Sequence, residues 1–80
     1  MRLDKYLKVS RLIKRRTVAN EACDAGRVLV NDKVARASYD VKEGDVITLM
    51  LGSREIRAEV LSVQETVSKS DAAMLYKLLS

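Results

Sequence analysis

Ten of the fifteen Lys and Arg residues lie within the first 36 positions: Arg2, Lys5, Lys8, Arg11, Lys14, Arg15, Arg16, Arg27, Lys33 and Arg36. Lys5, Lys8 and Arg11 recur every third residue, and Lys14-Arg15-Arg16 form an unbroken triplet. Side chains of this kind bind anions. An ammonium supplies a point charge, and a guanidinium supplies a planar fork that holds a phosphate or a base edge with two hydrogen bonds. The same 36 residues carry only four acids (Asp4, Glu21, Asp24 and Asp32), a net of +6, whereas residues 37–80 carry five bases and seven acids, a net of −2. Such asymmetry within a chain of net charge +4 points to a polyanionic partner for the first half.

The basic triplet stands just before a second helix, for which Thr17 is the expected N-cap. A helix start presents backbone N–H groups and a partial positive charge, which suit a phosphate. Cations gain nothing from that end of a helix dipole, so Arg15 and Arg16 there call for an anion from outside. Runs of Lys and Arg are often only a solvated face. Their concentration before a helix start, with an acidic remainder, favours binding. Asn20, Arg27, Asn31, Lys33 and Arg36 extend the surface if the chain after Gly26 folds back beside the helices. Tyr6 has the chemistry to stack on a base, but its spacing from Leu3 places it in the core.

Catalytic chemistry lacks its usual parts. There is no histidine, the commonest general base, and Cys23 is the only cysteine. Metal ligation, thiol catalysis and a disulfide framework are therefore not expected, and Cys23 reads as a small buried apolar residue. Gly26, Gly44 and Gly52 are too scattered to form a phosphate-cradling loop. No enzyme activity and no cofactor are expected. No stretch has the ~20 apolar residues of a membrane span. Lys and Arg recur through Arg16, so the start does not read as a secretory signal. The expectation is a cytoplasmic monomer with no membrane partner.

The elements that must position these cations can be read from periodicity. Leu3, Tyr6 and Leu7 predict a helix over 3–9, with Leu12 and Ile13 as apolar anchors after it. In the second helix Val18, Ala22 and Ala25 share one side, with Ala19 and Cys23 beside it, and Gly26 is the expected C′ stop. Arg27–Val30 and Lys33–Ala35 read as strands around an Asn31-Asp32 turn. Glu43-Gly44-Asp45 marks another turn, followed by strands over 46–51 and 54–63 joined at Gly52-Ser53. In the second of these Ile56, Ala58 and Val60 alternate with charges. Ser68 or Ser70 is expected to cap a last helix to about Leu79, with Ala72, Leu75, Tyr76 and Leu79 as its apolar stripe. The predicted fold is a small α+β domain over 1–80, with two packed helices, a small β-sheet and a C-terminal helix.

The run Arg2-Leu3-Asp4-Lys5-Tyr6-Leu7, the triplet Lys14-Arg15-Arg16 with Thr17, and Ala25-Gly26-Arg27-Val28-Leu29-Val30-Asn31 arrive in order. Over about residues 2–50 the chain resembles the S-four RNA-binding domain, or alpha-L motif. The 46–80 hairpin and helix follow, and the stretch Ser70–Tyr76 is similar to the tail of stand-alone members, the heat-shock protein fifteen and RqcP (YabO) families. Tyr6-Leu7-Lys8-Val9-Ser10 fits the RqcP family better, since the heat-shock group is richer in aromatics there.

The resemblance implies a non-enzymatic factor of bacterial ribosome-associated quality control. It would bind large ribosomal subunits obstructed by peptidyl-tRNA, contact large-subunit rRNA and tRNA, and support alanine tailing by an RqcH-like factor. It places RNA contact on Arg2, Lys5, Lys8, Arg11, Lys14, Arg15, Arg16, Thr17, Asn20 and the Arg27–Lys33 turn, with Arg2 and Arg16 foremost. Asp4 either orients a neighbouring arginine or only caps the first helix. The alternative is a general rRNA- or tRNA-binding accessory, in heat-shock-fifteen-like rescue or ribosome assembly. A protein adaptor or anionic-membrane binder fits less well, because the apolar face beside the charge is short and needed for the core.

Overall fold

The computed structural model describes residues 1–64, 68 and 70–79. Two helices, α1 (Leu3–Val9) and α2 (Arg16–Asp24), precede strands β1 (Val28–Val30), β2 (Lys33–Val34), β3 (Val46–Leu51) and β4 (Arg54–Val60). A 3-10 turn at Ala72–Leu75 leads into β5 (Tyr76–Leu78). The strands form one antiparallel sheet in the order β2-β1-β3-β4-β5.

Helix α1 forms as its spacing predicts. Leu3, Tyr6 and Leu7 are fully buried, and the Tyr6 hydroxyl donates to the Leu75 carbonyl at 2.7 Å, so Tyr6 is a core residue. The first amides of α1 find partners outside the helix. Leu3 N–H donates to the Tyr39 carbonyl (2.8 Å) and Asp4 N–H to that of Ala37 (3.1 Å). Together with a bridge between Arg2 and Asp40, these bonds lay segment 37–41 along the start of the chain. Arg2 is thereby held beside the residues that follow Arg36.

Helix α2 differs from expectation in two ways. It begins at Arg16, so Arg15, in extended conformation and without a side-chain cap bond, takes the position foreseen for Thr17. Its buried face is Ala19 and Cys23, while Val18 is 46% exposed and Ala25 is exposed. The row that packs is the i, i+4 pair of small residues, which lets α2 approach α1 closely; the bulkier Val18 lies off it. Its other end behaves as foreseen. Gly26 takes φ +73°, Gly26 N–H donates to Cys23 O and Arg27 N–H to Ala22 O, both at 3.0 Å, which is a complete Schellman stop.

Asn31 and Asp32 both have positive φ (53° and 68°), as a two-residue type I′ hairpin requires. Val28, Val30, Ile47, Leu49, Ala58 and Val60 are buried residues of the sheet. Strand β4 ends at Val60 rather than 63, because Leu61 and Ser62 N–H both turn to the Leu75 carbonyl.

Among the described residues, the expected C-terminal helix is reduced to the 3-10 turn Ala72–Leu75. Lys69 of that segment lies outside the described residues. Ala72 and Leu75 are buried on a single 3-10 turn, and Tyr76–Leu78 pair with Val60–Ala58 as an edge strand. The open edge of β4 supplies backbone partners that outweigh continuation of the helix, leaving Leu79 44% exposed.

Candidate nucleic-acid interface

The site is organised by one buried carboxylate. Asp4, 2% exposed, stands in the first turn of α1. Its Oδ1 accepts from Arg2 Nε (3.2 Å) and from the Lys5 amide (2.8 Å). Its Oδ2 accepts from Asn20 Nδ2 (3.3 Å) and Arg2 Nη2 (3.4 Å), and lies 3.4 Å from Arg16 Nε. A weaker contact joins Arg16 Nη2 to Oδ1 at 3.5 Å. Arg16 and Asn20 are an i, i+4 pair on α2, so one helix row meets the carboxylate twice.

Two guanidiniums thus share one negative charge, and the cluster stays positive. Their side chains remain 51% and 48% exposed, so both have free donors to offer outward. Contrary to the expectation that its counter-charge must come from outside, Arg16 has one within the protein. Asp4 supplies it, and aims Arg2 and Arg16 while leaving them accessible. Burial pushes the Asp4 carboxyl up, but the hydrogen bonds from Arg2, Asn20, Arg16 and the Lys5 amide outweigh it and hold the group below its ordinary 3.8.

The other foreseen residues fall into groups. Lys8 lies one turn beyond Asp4 on α1, at the i, i+4 position. Lys14 and Arg15 are exposed immediately ahead of α2, and Thr17 and Asn20 line a depression with Asp4 and Arg16. Arg11 is exposed and sits at φ 63°, where the chain reverses between the helices. Ile13, buried, anchors that loop. Lys5 is half-buried. Arg36 lines a depression with Arg2 and Asn20, and a neighbouring one with Asn31 and Lys33.

Two residues have different surroundings. Arg27 lines a largely apolar depression with Leu12, Ile13, Val18 and Leu51, which shares Glu21 with the depression of Asp4 and Arg16. Asn31 is exposed, but its side chain is committed to the protein's own groups: its Nδ2 donates to Asp45 Oδ1 and its Oδ1 accepts from the Val46 amide, both at 3.0 Å. Tyr39 was not foreseen from the sequence, and Asp45 was expected only as a turn residue. The Tyr39 hydroxyl donates to Asp45 Oδ2 at 3.0 Å, and Tyr39 lines the depression shared by Lys33 and Arg36. The available signal was an aromatic residue three positions after Arg36 in a segment without helical or strand periodicity.

Among the described residues there is no group of acids and thiols placed to hold a metal ion. No helix among the described residues is long and apolar enough to cross a membrane.

Comparison with known proteins identifies the family and the fold. The S4 domain model matches residues 1–47. The RQC P-site tRNA stabilizing factor of Halalkalibacterium halodurans is 53% identical over 98% of this chain and 89% of its own length. The factor of the same name from Bacillus subtilis is 49% identical over 99% of this chain and 92% of its own. The trimeric structure of Vibrio cholerae Heat Shock Protein 15 superposes with a TM-score of 0.91 at 30% identity, over 100% of this chain and 82% of that one. The matched segment contains both helices, Asp4 and its three side-chain partners, so the chain belongs to the S4 domain family, beside the RQC P-site tRNA stabilizing factors and related to heat shock protein 15.

Proposed function

We propose that this protein is a non-catalytic RNA-binding factor of ribosome-associated quality control. The observation that carries the reading is the pair Arg2 and Arg16, fanned from buried Asp4 and half open to solvent. Forked donors held in this way suit adjacent phosphates of a folded RNA. The names of the similar proteins supply the setting: a tRNA stabilised in the ribosomal P site.

In this reading the chain acts as one cytoplasmic unit over residues 1–80, as a monomer. It binds large ribosomal subunits obstructed by peptidyl-tRNA and bridges large-subunit rRNA to the tRNA. It makes and breaks no bond. Its contribution is to keep the tRNA in place between additions while an RqcH-like factor extends the stalled chain with alanine.

Co-sedimentation tests this. The protein is expected to travel with large subunits carrying peptidyl-tRNA in preference to empty ones, and Arg16→Ala to lose that preference. Equal association with empty subunits, or none with either, contradicts it. In-cell cross-links to a different structured RNA would instead support a general rRNA- or tRNA-binding accessory.

A further inference from the structure

Beside the Asp4 cluster lies a depression of about 460 Å³ that phosphate binding does not explain. Val30, Val34, Ala35 and Tyr39 contribute to its lining, together with Lys33 and Arg36. Val34 is 65% exposed, an apolar side chain without cover. Arg36 also lines the depression that holds Arg2 and Asn20, so the two regions are continuous.

The aromatic residue is fastened at both ends. The Tyr39 hydroxyl donates to Asp45 Oδ2 (3.0 Å), and the Tyr39 carbonyl accepts from Leu3 N–H (2.8 Å). Asp45 also receives Asn31 Nδ2 and the Lys42 amide, each at 3.0 Å. One carboxylate therefore fixes both the β1–β2 turn and the aromatic ring across from it. A ring held in this way loses little further freedom when something stacks on it.

An apolar depression with a fixed aromatic, two cations, and continuity with a phosphate-binding face matches one kind of occupant. Proteins read RNA mainly through unpaired bases, stacked on aromatic rings while cations track the backbone. We propose that this depression receives a single unpaired RNA base, stacked on Tyr39, with Lys33 and Arg36 on its flanking phosphates. The inference rests on the RNA-binding reading above and adds a base-recognition subsite to it.

Three RNA hairpins of equal stem test it: one with a single bulged 5-iodouridine, one with an abasic bulge, one fully paired. The wild-type protein is expected to bind the bulged hairpin at least about fivefold more tightly than the other two. Irradiation is expected to cross-link the iodouridine to Tyr39. Tyr39→Phe, which keeps the ring but loses the bond to Asp45, retains a reduced preference and Tyr39→Leu abolishes it, with circular dichroism confirming that both variants fold. Equal affinity of the wild type for all three hairpins, or a cross-link at Tyr6 or elsewhere, overturns the subsite even if Tyr39→Leu fails to fold. If Arg16→Ala weakens all three hairpins while they remain equal, only the subsite falls. If no hairpin binds in an Arg16-dependent way, the RNA-binding reading falls with it.

Discussion

Asp4 is the residue on which the candidate interface turns, because a buried carboxylate must be paired to remain charged. Its pKa is lower in the folded protein than its ordinary 3.8, so the stabilisation it gives is full above that value and fades as pH falls through the folded value. Asp4→Asn keeps the shape and removes the charge. Wild-type stability in urea, followed across pH, is expected to drop more steeply below about 3.8 than that of Asp4→Asn; parallel curves would refute the pairing. Cys23 behaves in the opposite way. Burial first, then the nearby charges of Asp4 and Asp24, push its thiol up to about 11, so at neutral pH it stays protonated and unreactive. Alkylation is expected to be slow in the native protein and to accelerate in step with unfolding. Rapid native labelling would show that Cys23 is not buried.

At the level of elements, helix α1 carries Asp4, to which α2 brings Arg16 and Asn20, and it is held by its core face. Leu7 is fully buried, and Leu7→Ala is expected to cost about 2–5 kcal/mol in chemical denaturation. A negligible loss would contradict the assigned face. At the end of α2, Gly26 holds φ +73°, and an added Cβ would meet only Val34 Cγ1 at 4.0 Å. Gly26→Ala should therefore cost about 1–2 kcal/mol through backbone strain rather than collision. Helix α1, the Gly26 stop, the Asn31-Asp32 turn and the β3–β4 pair were legible because each is specified by neighbours in sequence. The α2 core face was legible only in part: Cys23 is buried as expected, but close packing placed Ala19 beside it rather than the bulkier Val18. The last helix was misread for a related reason. Ala72, Leu75, Tyr76 and Leu79 have helical spacing, but pairing with the open edge of β4 is a tertiary event that spacing does not record. The same limit applies to the site. A cationic segment was visible, whereas the meeting of Arg2, Arg16 and Asn20 on Asp4 depends on how two helices pack.

Across the whole molecule, the charge asymmetry of the sequence becomes a division of labour. Both helices and the basic surface fall within the first 47 residues, the span matched by the S4 domain. Strands β4 and β5 extend the same sheet, and Val60 of β4 with Leu75 of the 3-10 turn closes the core. Arg2 and Arg16, aimed by Asp4, are proposed to neutralise RNA phosphates. The salt dependence of binding to peptidyl-tRNA-bearing large subunits measures this directly. Each lost phosphate contact flattens the log–log slope by about 0.7–0.9. Arg16→Ala is predicted to show that change and to remain folded, since its side chain is half exposed. A slope identical to wild type in a folded Arg16→Ala variant would contradict the account.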